Sequence, residues 1–134
     1  MHHTEQRPWG SWSVLDEGDG YKVKKIVVEP GHRLSYQTHA ERAEHWYVIR
    51  GTATCTIDGQ TVLARVGESV EVVLGAAHRL ANDHDETLVI IEVQRGAYLG
   101  EDDICRLEDD YGRCPEVAGA PGPAPSAPAP APTQ

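Results

Sequence analysis

Four side chains in this sequence have the types and spacing to hold a divalent metal ion. Gln37, His39 and Glu44 lie between Gly31 and Gly51 in GHRLSYQTHAERAEHWYVIRG, and His78 lies in GESVEVVLGAAHRLAN. Residues two apart in a strand share a face, so SYQTH turns Gln37 and His39 the same way. Glu44 follows across a short turn on the next strand, and His78 arrives from a separate one. Two imidazoles and two oxygen donors suit one ion of Zn, Mn, Co, Fe or Ni, and the spacing does not choose among them. Such an ion would polarise the oxygens of a small substrate and steady a developing oxyanion.

Strands must carry these residues. YKVKKIVVE, LSYQTH, HWYVIRG, TATCTID, QTVLARV, ESVEVVL, HRLAND and TLVIIEVQ are short segments separated by glycine, Asp-Gly, Asn-Asp or charged clusters. None shows helical periodicity, and Asp58-Gly59 is a hairpin turn. The pattern predicts an all-β fold, and a double-sheet antiparallel jelly roll best explains polar residues pointing inward from several strands. With Glu44 inward, Trp46 and Val48 face the lumen while His45, Tyr47 and Ile49 face away. With His78 inward, Leu80 and Asn82 share its face and Arg79 does not. In TLVIIEVQ, Leu88, Ile90, Glu92 and Gln94 form one face, and the wholly apolar Val89, Ile91 and Val93 are expected to be the packed one. Glu92 and Gln94 then belong to a polar lumen. Trp9 and Trp12 are expected to pack across one end of the barrel.

Composition bounds the rest. A chain of 134 residues, 40% hydrophobic and 25% charged, is expected to form one globular domain. A formal net charge of −9 argues against nucleic acid or an anionic membrane as partner, though arginines inside an acidic protein can still hold a small anion. MHHTEQRPWG is too polar for a signal peptide and no apolar run approaches a membrane span, so a cytoplasmic location is expected. Cys55, Cys105 and Cys114 are scattered and form no CxxC pair, and Cys55 reads as a buried structural thiol. The segment after Arg95, GAYLGEDDICRLEDDYGR, is acidic and irregular, with one turn of helix expected. From Cys114 the chain turns Pro/Ala-rich, so the expected organisation is a folded domain over 7–113 and a disordered tail over 114–134.

The ligand spacing resembles the two cupin motifs, G-x5-H-x-H-x3,4-E-x6-G and G-x5-P-x-G-x2-H-x3-N, with Gln37 in the first histidine position and Val73 in the proline position. RPWG, YKVKKIVVEPGHRLSYQTH, RAEHW, GTA, HRLAN and EVQRGAYLGEDDICRLEDDYGR narrow this further. They resemble the C-terminal cupin domain of type II mannose-6-phosphate isomerases, where Gln in the first ligand position is usual. In many members that domain is fused to a mannose-1-phosphate guanylyltransferase. Here only a few residues precede RPWG and there is no Gly-rich nucleotide loop, so GDP-mannose synthesis by this chain is not expected.

The resemblance implies a cupin double-stranded β-helix, and metal-dependent interconversion of mannose 6-phosphate and fructose 6-phosphate. That reaction moves a proton between C2 and C1 through an enediol. It needs a base, an electrophile and a phosphate anchor. Glu92 could shuttle the proton, and Lys24 or Lys25, whichever faces the lumen, could stabilise the oxyanion. Arg42, placed at the mouth, together with Arg106, Arg113 and Gln94, could bind the sugar phosphate. The alternative is a non-catalytic cupin that binds a sugar phosphate or sugar nucleotide beside a separate guanylyltransferase. Outward Tyr36, Tyr47 and Ile49 suggest a homodimer through the exposed sheet.

Overall fold

The computed structural model describes residues 3–112, and every regular element among them is a strand. In chain order these are β1 (His3–Arg7), β2 (Gly10–Gly18), β3 (Tyr21–Val28), β4 (Tyr36–Thr38), β5 (Arg42–Arg50), β6 (Ala53–Ile57), β7 (Gln60–Ala64), β8 (Ser69–Val72), β9 (His78–Ala81), β10 (Leu88–Gly96) and β11 (Cys105–Glu108). They form two antiparallel sheets, ordered β1-β2-β3-β10-β5-β8 and β11-β4-β9-β6-β7. The first sheet begins at His3, ahead of Arg7, because β1 pairs with β2 along its whole length. The tail over 114–134 and Arg113 lie outside the described residues.

Turn chemistry sets several connections. The β6–β7 hairpin closes on Asp58 (φ 47°) and Gly59 (φ 82°), with Ile57 paired to Gln60. Two positive φ values in a two-residue loop match the right-handed twist of the strands it joins, which is why Asp-Gly serves there. Gly51 adopts φ 83°, and a Cβ at that position would lie 2.8 Å from the Thr87 carbonyl oxygen. Glycine is therefore required both for conformation and for the approach of β10. Val73, in the proline position of the motif, opens a turn in which the Ala76 amide donates to the Val73 carbonyl (3.1 Å), with Gly75 at φ 82°.

Strand alternation produces a lumen graded from apolar to polar. Across β3, β10 and β5, Val28 stands opposite Leu88, Ile26 opposite Ile90 opposite Val48, and Lys24 opposite Glu92 opposite Trp46. Gln94 opposite Glu44 completes the polar end. On β9 of the facing sheet, His78 lies at the polar end and Leu80 toward the core. Val28, Val48, Leu80, Leu88, Ile90, Cys55 and Val72 fill the apolar end between the sheets, and Trp9, Trp12 and Trp46 join the same cluster. Burial pushes the Cys55 thiol up to about 12, as befits a packing residue.

Two expectations are corrected. Val89, Ile91 and Val93 are not the packed face: they are half-buried on the outside, whereas Leu88, Ile90, Glu92 and Gln94 are buried. Apolar content misassigned the faces. The lumen accepts Glu92 and Gln94 because they hydrogen-bond one another there (Gln94 Nε2 to Glu92 Oε1, 2.8 Å). The acidic C-terminal segment holds no helical turn among the described residues; it contributes β11, which pairs Cys105 with Thr38 and Arg106 with Gln37. The short β4 otherwise presents open backbone donors and acceptors on that side, and β11 takes them up. This segment also buries Arg79 on the outward face of β9, where its guanidinium donates to the Leu34 carbonyl (3.0 Å) and to Glu108 (3.3 Å).

Candidate metal centre

His39, Glu44 and His78 converge at the polar end of the lumen, each buried, with one ligand atom of each lying within 4.8 Å of the others. Each comes from a different local context. His39 follows β4, Glu44 is an inward position of β5, and His78 opens β9 after the Val73–Ala76 turn. His39 Nδ1 donates to the Asp103 carbonyl (2.6 Å) and His78 Nδ1 to the Ala76 carbonyl (3.0 Å). A carbonyl only accepts, so both Nδ1 atoms carry protons and both Nε2 atoms turn inward. His39 Nε2 lies 3.1 Å and His78 Nε2 3.8 Å from the Glu44 carboxylate. Burial holds the His78 pKa below its ordinary value despite the pull of Glu44, which keeps its Nε2 lone pair available. Two Nε2 atoms and a carboxylate aimed at one point fit a divalent cation.

Gln37 is buried on the same wall, directly opposite His78 in the β4–β9 ladder. Its amide nitrogen donates to the Ser35 carbonyl (3.4 Å). Arg42 lies deeper than the mouth position expected of it. Its Nε donates to Glu44 (2.9 Å), its Nη2 to His39 Nε2 (3.2 Å), and its buried Nη1 meets no protein acceptor. A guanidinium seated beside a carboxylate on the same strand face explains the depth.

Glu44 and Glu92 form the second feature. The Trp46 indole N–H is shared between Glu44 Oε1 (3.0 Å) and Glu92 Oε2 (3.1 Å). Burial raises Glu92 well above the usual carboxylate range, and the charge of Glu44 adds to this against Lys24 and Arg42. Burial would raise Glu44 too, but its close contacts with His39 and Glu92 and the charges of His78 and Arg42 outweigh it and hold Glu44 well below that range. The environment therefore pushes the two carboxyls in opposite directions, Glu92 toward the protonated form and Glu44 toward the ionised one.

These groups open into a cleft enclosing about 740 Å³ of space continuous with solvent. Gln37, His39, Arg42, Glu44, His78, Glu92, Lys24 and Arg106 all line it. Lys24 rather than Lys25 faces inward: Lys24 is buried on the β3 lumen face and Lys25 is exposed. Gln94 does not line the cleft; it stands behind Glu92 and donates to it. Arg113 lies outside the described residues. His45 points outward, as alternation predicts. Trp9 and Trp12 line the cleft as well as packing, and Lys24 Nζ sits 3.9 Å above the Trp12 ring.

Sequence reasoning missed Arg7 and Glu101, both on the cleft wall. Arg7 sits in RPWG, which drew attention for its tryptophan. Glu101 sits in an acidic run that reads as solvent-facing. Neither position follows from alternation, because one ends an edge strand and the other rides a loop folded back from a distant part of the chain.

Two facing antiparallel sheets, with a His/Glu/His cluster at one end of the lumen, define a cupin double-stranded β-helix. Solved structures agree on the fold. The capsular polysaccharide assembling protein CapF of Staphylococcus aureus superposes with a TM-score of 0.69 at 19% identity, covering 81% of this chain and 32% of that one. A Klebsiella pneumoniae protein described as having a double-stranded β-helix domain gives 0.63 at 21% identity, covering 72% and 78%. The model of the mannose-6-phosphate isomerase C-terminal family matches residues 1–109, and the chain belongs to that family. Among curated relatives, the alginate biosynthesis protein AlgA of Pseudomonas aeruginosa is 52% identical over 119 residues, covering 88% of this chain and 25% of that protein. The mannose-1-phosphate guanylyltransferase ManC of Salmonella typhimurium is 50% identical over 113 residues (84% and 24%). The xanthan biosynthesis protein XanB of Xanthomonas campestris is 48% identical over 112 (84% and 24%). The chain thus spans about a quarter of the length of these relatives.

Proposed function

We propose that this domain interconverts mannose 6-phosphate and fructose 6-phosphate, in support of mannose-containing polysaccharide synthesis. The observation that carries the reading is the pair of buried carboxyls, Glu92 and Glu44, bridged by the Trp46 N–H beside two inward-turned histidines. Aldose–ketose isomerisation needs one group that gives and takes a proton near neutrality, next to a site that stabilises an enediolate. His39, Glu44 and His78, with Gln37 beside them, would hold a divalent ion. When bound, it would supply Lewis-acid stabilisation of substrate oxygen charge.

The chain's own residues then divide the work. Glu92 passes the proton between C2 and C1. Gln94, donating to Glu92 Oε1, holds that carboxyl toward the cleft. Arg42, fixed by Glu44, offers its unpartnered Nη1 to substrate oxygen. Lys24 adds positive charge to the same space, and Arg106 with Arg7 supports binding of the phosphate from the wall.

The test is incubation of the full chain with mannose 6-phosphate and divalent metal in deuterated water, followed by NMR. Fructose 6-phosphate, with deuterium at C1 or at C2 of recovered mannose 6-phosphate, is expected. Neither product nor exchange would refute the reading. Sugar-phosphate binding without turnover would favour the non-catalytic alternative.

A further inference from the structure

The loop after β10 places a carboxylate where a substrate anion would be attracted. Glu101 Oε2 accepts from Lys24 Nζ at 2.6 Å and lies 3.6 Å from Lys22 Nζ. Lys24 is buried, its ammonium pressed between this carboxylate and the Trp12 ring, and Glu101 itself lines the cleft. Four cationic side chains, Arg7, Lys24, Arg42 and Arg106, share that lining with Glu44, Glu92 and Glu101. Of the three carboxylates, Glu44 is engaged by Arg42 and the histidines, and Glu92 by Trp46 and Gln94. Glu101 is the one that rides a loop, its side chain two-fifths exposed.

The loop is pinned on either side of Glu101. Lys22 Nζ donates to the Leu99 carbonyl (3.0 Å), and the Asp103 carboxylate accepts the backbone amides of Ala40 and Glu41 (2.9 Å each). The Asp103 amide donates to the Gly100 carbonyl (3.1 Å), which makes Glu101 the first central residue of a turn. With the backbone held on both sides and the side chain two-fifths exposed, movement of Glu101 off Lys24 falls to its side-chain torsions. A carboxylate carries one charge and two acceptor oxygens, whereas a phosphate monoester carries up to two charges and three.

We propose that Glu101 is an internal anion occupying an anion subsite on Lys24 at the cleft wall, and that a phosphate monoester binds by displacing it from that lysine. The identity of that anion as a sugar phosphate rests on the isomerase reading; the exchange itself does not. The device sets specificity: neutral sugars cannot displace Glu101, and a dianion can. Glu101 is thus a specificity-determining residue that weakens anion binding, not a residue that assists it.

The test is calorimetric titration of the full chain with inorganic phosphate, comparing wild type, Glu101→Gln, Lys24→Met, and Glu101→Gln with Lys24→Met. Glutamine keeps the size of the side chain and removes its charge. Phosphate is expected to bind Glu101→Gln about tenfold more tightly than wild type, the scale of one lost charge-assisted competitor. That gain should vanish in the double variant. Equal or weaker phosphate binding by Glu101→Gln would overturn the proposal, because Glu101 would then merely position Lys24. A gain that survives Lys24→Met would also overturn it, because the anion would sit elsewhere. Turnover with an unchanged phosphate affinity in Glu101→Gln sinks this proposal alone; the phosphate effect without turnover sinks the isomerase reading alone.

Discussion

Replacing Glu92 by glutamine separates the proton-holding role of this carboxyl from its packing. Burial and the neighbouring Glu44 charge raise the folded-state pKa of Glu92 well above that of an unfolded glutamate. Between those two values the folded chain binds a proton that the unfolded chain has released, so stability falls as pH rises. The slope is about 1.4 kcal/mol per pH unit for one proton. The contribution is fully present below the unfolded pKa, about 4.3, and is lost progressively above it. Glutamine mimics the protonated acid, keeps a donor for Glu44, and does not titrate. As pH rises from 5 the variant should therefore gain stability on wild type, by at most about 1.4 kcal/mol per pH unit, until Glu92 ionises in the folded chain. Urea denaturation of both proteins in chelator at pH 5, 6 and 7 measures this, and taking the difference cancels the other titrating groups. Turnover should fall by about 10²–10⁴, the range of a lost acid–base group. A stability difference flat from pH 5 to 7 would show instead that Glu92 ionises like an exposed glutamate.

Other perturbations separate packing, strain and charge. Leu88→Ala, at a position with no exposed surface, should cost about 2–5 kcal/mol in urea denaturation, and Ile91→Ala on the outward face much less. Gly51→Ala should cost about 1–3 kcal/mol by the same assay, because it combines φ 83° with a contact to the Thr87 carbonyl. Acid should destabilise the fold through His78 and Glu44. The lowered His78 pKa removes stability as pH falls below about 6.5, and the lowered Glu44 pKa removes more below about 4.3; in Glu92→Gln, where the opposing Glu92 proton is absent, thermal midpoints should drop through both windows. We propose that a second copy packs on the outer face of the six-stranded sheet, where half-buried Val89, Ile91 and Val93 stand beside exposed Tyr47 and Ile49; Tyr36, expected on the same face, lies in the other sheet. Ile91→Glu should shift sedimentation from dimer to monomer.

Much of the lumen was legible because strand alternation is a strict rule. Once Glu44 was turned inward, Trp46, Val48 and the outward His45 followed, and the motif spacing brought His39 and His78 to the same end. The same rule gave the correct partition of β10, but apolar content chose the wrong side, since it ignores the hydrogen bonds that allow Glu92 and Gln94 to be buried. Arg42 shows a different limit: its position beside the ligands was readable, yet its depth depends on its bond to Glu44. Arg7, Glu101 and the strand character of β11 depended on long-range pairing. Nothing in YLGEDDICRLE says that it will fold back on β4 and reach Lys24. The edge of β4 and the buried lysine select that conformation, and neither is local to the segment.

The central claim is metal-dependent isomerisation at the His39–Glu44–His78 centre. The most direct measurement is a coupled assay of fructose 6-phosphate formation from mannose 6-phosphate. It compares wild type and His78→Ala, first with chelator and then with each of Zn, Mn, Co, Fe and Ni restored. Wild type should be silent in chelator and recover with at least one metal, while folded His78→Ala recovers with none. A folded wild-type chain that stays silent with every metal, or a His78→Ala variant with full activity, would contradict the account.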